Sequence, residues 1–383
     1  MHESGISSGM KLALLSSGLG FTARGIEIWM VELAAHLPAD INVELWSGGP
    51  SPNSVTQPAV CLHGLNRDRR WLKEMNWQRR YQLEQLSVLA QATFRLRRQK
   101  MDAVYCGDPV LSWHLKRFRS FHRSKVVFMN GMRLSAAWAK DFDGVHLLAP
   151  PYLEAARREL PGQKLNHFFA VPHFVDATRF QPPTLPQRTA ARQRFGLKED
   201  DFVILNVGPV GHVSGKRFDW LAEEVALTRG RSLLFSAGVD EDGAATVRQR
   251  ATQALGERVR FLGPVARAAM PALFQAADIY ALASLAEPFS IAILEALASG
   301  LPVVHHTDEV MQWQTGGGGV GVSMAVHGEA AALLRLLEND PQRRAGVGGA
   351  ARDLAVTRYA PGEISRKIAD GLLGICGQKP VAP

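Results

Sequence analysis

The sequence predicts an α/β protein made of two doubly wound parallel-sheet domains. Three observations lead there. At 383 residues the chain is too long for one ordinary core. Short apolar runs that read as buried strands alternate with helical patterns along nearly all of it, as parallel βαβ units do. The alternation halts once, at a proline-rich stretch, and then restarts.

In the first half, strands are expected at 11–16, 41–46, 103–106, 125–129, 145–148 and 168–171, with helices at 25–37, 78–98, 109–119 and 151–160. The run Leu12 to Leu15 after Lys11 is too short for the apolar core of a signal peptide, and no small-residue cleavage site follows it. It reads as the first buried strand, with residues 1–9 as an extension ahead of it. The stretch 62–78 is irregular and rich in Arg and Trp. Pro172, Pro182, Pro183 and Pro186 mark a linker over 172–188. Beyond it, strands are expected at 202–207, 232–237, 259–262, 278–282, 302–305 and 319–323. Helices fall near 216–228, 243–255, 267–276 and 290–299, and a helical tail covers 350–376. The expected domain limits are 1–180 and 181–355, with 356–383 a C-terminal helix that packs back toward the first domain. No apolar run is long enough to cross a bilayer.

The net charge of +8 is uneven. Residues 1–179 hold 23 basic and 15 acidic side chains, which accounts for all of the excess. The basic stretches are Arg67 to Arg70, Arg79-Arg80, Arg95 to Lys100 and Arg117 to Lys125. Trp71, Trp77, Phe94, Phe118 and Phe121 are interleaved with them. Such a surface suits an anionic partner, and a solvated helix face explains it equally well. A nucleic acid is not expected, because no helix-turn-helix or aromatic RNA motif is present. Cys61, Cys106 and Cys376 are scattered and odd in number, which reads as free thiols in a reducing cytoplasm.

The stretch richest in chemistry runs from Ala286 through Glu287-Pro288-Phe289-Ser290-Ile291 to Glu295 and on to Gly300-Leu301-Pro302-Val303-Val304. Glu287 falls at the carboxyl end of a buried strand, and Pro288 marks the turn. Ser290 is a fair N-cap. Gly300 and Pro302 stop the helix before the next strand. Free N–H groups at Ser290-Ile291 then form an anion site suited to a diphosphate, with Glu295 one turn further on. A second turn, Gly208-Pro209-Val210-Gly211 to Lys216-Arg217, also joins a strand to a helix. Its glycines allow close backbone approach to phosphate.

The frame E-P-F-x-x-x-x-x-E-A-x-A-x-G-x-P-V-V closely resembles the donor motif of retaining glycosyltransferase family 4, the glycosyl transferases group 1. The resemblance implies a GT-B architecture, two Rossmann-like domains facing across a cleft. It gives Glu287 contact with the transferred sugar and Glu295 the ribose hydroxyls, with the backbone at Phe289, Ser290 and Ile291 holding sugar and phosphate. The Gly208 turn resembles the family's G-R-x-x-x-x-K-G loop. Lys216 is the expected phosphate cation there, and Pro209 stands where the family has Arg. Arg217 is the candidate to replace that Arg. The end of the strand at Leu262, Gly263 and Val265 resembles the backbone that reads the nucleotide base. Gly18, Gly20, Gly25 and Glu27 resemble the G-G-x-E loop that faces the donor phosphates. Asn130 stands where the family often has a His near the sugar. His173 replaces an Asn in a hinge that resembles I-P-N-G-V-D.

The implied activity is retaining transfer of a hexose from a nucleoside diphosphate, UDP first and GDP next. The acceptor would be a lipid-linked or envelope glycan, or a small molecule. No cofactor and no obligatory metal are expected. The literal D-x-D at Asp141 and Asp143 reads as a helix end, not a metal site. The expected location is cytoplasmic, with peripheral contact to an anionic membrane through the basic first domain left open. Two alternatives stand beside this reading: a nucleotide-sugar epimerase of the same fold and a non-catalytic GT-B binding protein.

Overall fold

The computed structural model describes residues 9–22, 24–51 and 56–378. Residues 1–8 of the expected extension lie outside the described residues. The chain forms two compact units. One comprises the residues through His173 together with the segment from Pro361 onward, and the other runs from Phe174 to Ala360.

The first unit holds seven parallel strands: β1 (Met10–Ser16), β2 (Ile41–Ser47), β3 (Ala59–Cys61), β4 (Ala103–Cys106), β5 (Lys125–Met129), β6 (Gly144–Leu147) and β7 (Phe168–Ala170). Their order across the sheet is β3-β2-β1-β4-β5-β6-β7. Around it run α1 (Gly25–His36), α2 (Trp77–Gln99), α3 (Pro109–Arg117), α4 (Arg119–His122) and further helices, among them Pro150–Glu159. The core gathers Leu15, Trp46, Val88, Leu96, Val104, Leu111, Val126 and Phe128. The final helix, Pro361–Ile375, packs on α1.

The second unit holds six parallel strands: β8 (Val203–Val207), β9 (Leu233–Ala237), β10 (Val259–Gly263), β11 (Ile279–Leu282), β12 (Val303–His306) and β13 (Gly319–Val322). They are ordered β10-β9-β8-β11-β12-β13. Its core includes Ile204, Phe218, Leu221, Leu234, Ile279 and Val304. Both sheets are parallel and flanked by helices, so central strands such as β4 and β11 are buried along their whole length, while β2 nearer the edge alternates, with Asn42 exposed.

Several local expectations change. The three-residue edge strand β3 was not foreseen, because so short a run carries no periodicity of its own. The helix expected at 109–119 stops at Arg117, and α4 follows after Phe118. The single tail helix becomes Pro341–Arg358 and Pro361–Ile375, since Pro361 cannot continue the helix before it. The stretch 172–188 is ordered: Phe174 and Phe180 are buried, and Thr184 forms a capping box on a helix Leu185–Arg194. The two units part after His173 and after Ala360, whereas the sequence suggested breaks after residues 180 and 355. Phe180 packs on Phe274, and Val175 N–H donates to the Tyr359 carbonyl at 3.0 Å, which ties this segment into the second unit.

The carboxyl ends of β8, β9 and β10 are pressed backbone to backbone. Gly208 N–H donates to Ala237 O and Gly238 N–H to Gly263 O, each at 2.9 Å. A Cβ on Gly238 would stand 2.0 Å from the Gly208 carbonyl oxygen. Gly238→Ala is therefore expected to lower unfolding stability by ~1–3 kcal/mol through overpacking, measured by urea denaturation. A loss within the ordinary surface range of about 0.5 kcal/mol would mean that these strand ends can move apart.

Candidate active site

In the second unit the strand order reverses between β8 and β11. The chain leaves β8 toward β9 and β10, and leaves β11 toward β12 and β13. The loops at their carboxyl ends therefore diverge and open a crevice, the place where ligands bind in open α/β sheets. Two sequence-predicted residues meet there. Lys216, on the loop after β8, donates from Nζ to Glu287 Oε2, on the loop after β11, at 2.7 Å. Both side chains are close to buried, at 12% and 10% exposure, so this pair is poorly screened. Gly208 has φ +156° and lies against the Lys216 side chain. Leu262, Gly263 and Val265 stand half-buried at the end of β10, two strands away.

The loop carrying Glu287 is fixed by its surroundings. Ser290 caps the helix Ile291–Ala298, its Oγ accepting from Ile293 N–H at 3.4 Å. Gln314 is fully buried and grips Ser290 twice. Its Oε1 accepts from Ser290 N–H at 3.3 Å, and its Nε2 donates to Ser290 O at 2.7 Å. Tyr359 Oη in turn donates to Gln314 O at 2.8 Å. The rings of Phe289, Trp313 and Tyr359 come together with centroids 6.3–6.5 Å apart. The first-turn N–H groups of Ile291 and Ala292 have no acceptor among the described residues, which leaves the helix its positive end. Burial, reinforced by the Glu287 charge, pushes the nearby Tyr280 hydroxyl well above the usual phenol range, so it stays neutral.

Glu295 is buried on the next turn and accepts from the Arg267 guanidinium. Arg267 begins a 3₁₀ turn after β10, and its carbonyl accepts from Arg179 at 2.6 Å. Arg217, the candidate second phosphate cation, is placed differently. Its guanidinium donates to Met324 O at 2.6 Å and to Ala283 O at 3.4 Å, and it lies over the Trp220 ring. Burial lowers its pKa. Lys216 is thus the cation that meets Glu287, while Arg217 ties the end of β11 to the Met324 loop.

The first unit repeats the reversal between β1 and β4. There the loop after β1 meets Asp108: Ser17 N–H donates to Asp108 Oδ2 at 2.6 Å, and Tyr81 Oη donates to Oδ1 at 2.8 Å. Arg67 forks onto Glu84 at 2.6 and 2.8 Å, lies 3.9 Å from Glu27 Oε1 and covers the Tyr81 ring. Arg67 and Arg80 were read as surface cations, yet they are only 4% and 3% exposed. Gly18 is required by this cluster, because a Cβ there would stand 2.3 Å from Glu27 Oε1. Gly20 holds φ +87°, and Gly25 opens α1 with room around it. Burial raises the Glu27 carboxyl to about 7, against the opposing pull of Arg67.

Asn130 spends its amide on its own turn, donating to Leu134 O at 2.7 Å and accepting from Leu134 N–H at 2.9 Å. His173 is buried and stacked on Trp29 at 3.9 Å, and burial holds it neutral. Asp141 and Asp143 are ion-paired to Lys116, Arg119 and Lys125, and no group of metal-binding side chains occurs among the described residues.

Residues 201–339 match the family model of the glycosyl transferases group 1, across the Lys216 and Glu287 loops. Its second unit is thus similar to the group 1 glycosyl transferases. Mannosylfructose-phosphate synthase of Agrobacterium fabrum is 32% identical over 37% of this chain and 33% of its own length. The chain spans between 27% and 50% of the length of the curated relatives it matches. Sucrose-phosphate synthase from Thermosynechococcus elongatus superposes with a TM-score of 0.76 at 18% identity, over 94% of this chain and 98% of that one. Anabaena HepE, in complex with UDP-glucose, gives 0.73 at 19% identity, over 95% and 100%. These likenesses show the fold: two Rossmann-like parallel-sheet domains of the GT-B class. No described helix is long and apolar enough to cross a membrane.

Sequence reasoning missed Gln314, Arg267, Arg67, Glu84 and Asp108. None stands in a motif, and each reaches its partner from a different element. Arg67 even carried a misleading signal, since it lies in a basic run.

Glu27 gives this cluster a pH signature. Its native value of about 7 lies above the ordinary 4.5, so the folded state holds the proton more tightly. Its contribution to stability is complete at pH values below 4.5 and is lost as the pH rises through about 7. Glu27→Gln is expected to flatten that decline by up to about 3 kcal/mol, followed by urea denaturation across the window. An unchanged slope would place the titration elsewhere.

Proposed function

We propose that this chain is a retaining hexosyltransferase that takes its sugar from a nucleoside diphosphate, uridine first and guanosine next. The observation that carries the reading is the Lys216–Glu287 pair, 2.7 Å apart, beside the capped start of the helix Ile291–Ala298. Departure of the nucleoside diphosphate builds negative charge on its oxygens while the sugar carbon turns cationic. The Lys216 ammonium and the N–H groups of Ile291 and Ala292 are fixed donors for that charge, and they require no reorganisation as it develops. Glu287 neutralises Lys216 at rest and, as the pair opens, offers its carboxylate to the sugar hydroxyls. Glu295, steadied by Arg267, takes the ribose diol. Each group acts through positioning and charge, so no step requires a metal.

Two similar proteins support a sugar-nucleotide donor and a polar acceptor: one solved structure holds UDP-glucose, and one relative is a mannosylfructose-phosphate synthase. The acceptor, a lipid-linked or envelope glycan or a small molecule, is assigned to the first unit, with Asn130 and His173 as the candidates on the acceptor or sugar side.

Donor binding and chemistry can be tested separately. UDP-glucose is expected to raise the melting temperature of the wild-type protein, and Glu295→Ala is expected to shrink that rise. Lys216→Ala and Glu287→Ala are expected to lower release of UDP from UDP-glucose by ~10²–10³-fold, the loss typical of one preorganised donor. Undiminished turnover in either variant would remove it from the mechanism.

A further inference from the structure

The basic stretches of the first unit do not form one surface. Arg67 and Arg80 turn inward, as described above. The stretches Arg95 to Lys100 and Arg117 to Lys125 gather instead at the amino edge of the sheet, the edge opposite the loops of Ser17 and Asp108. α3 starts from the carboxyl end of β4, runs back across the sheet and ends at Arg117. α4 then turns the chain into the start of β5 at Lys125. The last turns of α2, with Phe94 and Arg97, reach the same edge just before β4.

At this edge lies an open depression of about 480 Å³ lined by Lys116, Arg117, Arg119, Ser120, Arg123 and Lys125. Five of its six lining residues are cations. Two carboxylates answer them: Asp143 pairs with Arg119 at 2.7 Å and Lys125 at 3.4 Å, and Asp141 pairs with Lys116 at 3.5 Å. Arg117 and Arg123 have no ion-pair partner among the described residues. Cations in the last turn of a helix favour its dipole, which accounts for Lys116 and Arg117 singly. The dipole does not account for the aromatic rings standing among them. Phe94 is 67% exposed, and Phe118, Trp113 and Phe121 are 38–43% exposed. Phe94 and Phe121 meet edge to face at 5.5 Å, and the Arg97 guanidinium covers Phe121 at 4.9 Å while donating to its carbonyl. The apolar rings are thus held in water by neighbouring structure and ringed by charge.

We infer that this edge is a docking surface for an anionic phospholipid bilayer. The depression receives headgroup phosphates, and Phe94, Trp113, Phe118 and Phe121 enter the interfacial layer. Charge complementarity commits the face to an anionic surface, and exposed rings interleaved with cations on helix faces suit a lipid interface, which takes in the rings while its headgroups meet the cations. The edge lies away from the carboxyl-end loops of its own sheet, so a bound membrane leaves those loops open. The inference is independent of the donor chemistry.

The experiment is flotation of the full chain with vesicles of pure phosphatidylglycerol and of pure phosphatidylcholine, at low and high salt. Binding is expected with the anionic vesicles alone, and it should weaken as salt rises. Arg117→Gln with Arg123→Asn keeps a side chain suited to the left-handed backbone at residue 123 (φ 66°) and removes the two unpaired charges. It is expected to lower partition about 25-fold, at ~5-fold per charge. Phe94→Ala with Phe121→Ala is expected to lower partition while leaving the salt dependence in place. Melting temperature and UDP release from UDP-glucose report that each variant is folded. Equal binding to phosphatidylcholine, no binding to either vesicle, or full binding by the charge variant would overturn the inference. So would retention of polyuridylate by a protein that does not float with lipid, which would assign the face to nucleic acid.

Discussion

In each unit two neighbouring parallel strands send their chains to opposite sides, and polar groups collect in the gap that this leaves. The second unit has its reversal between β8 and β11, and the first between β1 and β4. Parallel strands require long crossovers, so every loop at one end of such a sheet comes from a helix junction. The site follows from that constraint. A lysine and a glutamate 71 residues apart in sequence stand 2.7 Å apart because β8 and β11 are paired.

A nearly buried pair of this kind is held at the expense of desolvation, and the surroundings must keep both ends in place. Gln314 does so for the Glu287 loop by satisfying both the N–H and the carbonyl of Ser290, and Tyr359 holds Gln314 in turn. On the other side, Gly208 allows Lys216 to lie against the backbone. The result is a hydrogen-bonded frame around the ion pair, with free N–H donors at the start of the helix Ile291–Ala298.

The first unit uses the same geometry with the opposite charge. Glu27 and Glu84 share the guanidinium of Arg67, Asp108 accepts from Ser17 and Tyr81 beside them, and burial raises the Glu27 carboxyl to about 7. A cluster of five cations lines a depression elsewhere, at the amino edge of its sheet. A chain with an excess of eight positive charges thus keeps its reversal point acidic and its far edge basic.

Local pattern was enough to read most of the strands and to place Glu287, Ser290 and Glu295 around a helix start. Apolar runs, an N-cap serine and a stopping glycine act within a few residues, and such signals survive without tertiary context. The Gly208 to Arg217 stretch was legible as a glycine-containing turn between a strand and a helix for the same reason. The sequence could not say which of Lys216 and Arg217 meets Glu287, since adjacent residues carry the same charge and only the left-handed backbone at Arg217 sends its guanidinium to Met324. Nor could it tell that Arg67 is buried among carboxylates while Arg117 is bare. Both lie in basic runs, and burial depends on strands and helices far away in the chain. Composition and periodicity determined that there are two parallel sheets and where their helices begin. Strand order decided which charges meet, because pairing between distant strands is what brings their loops together.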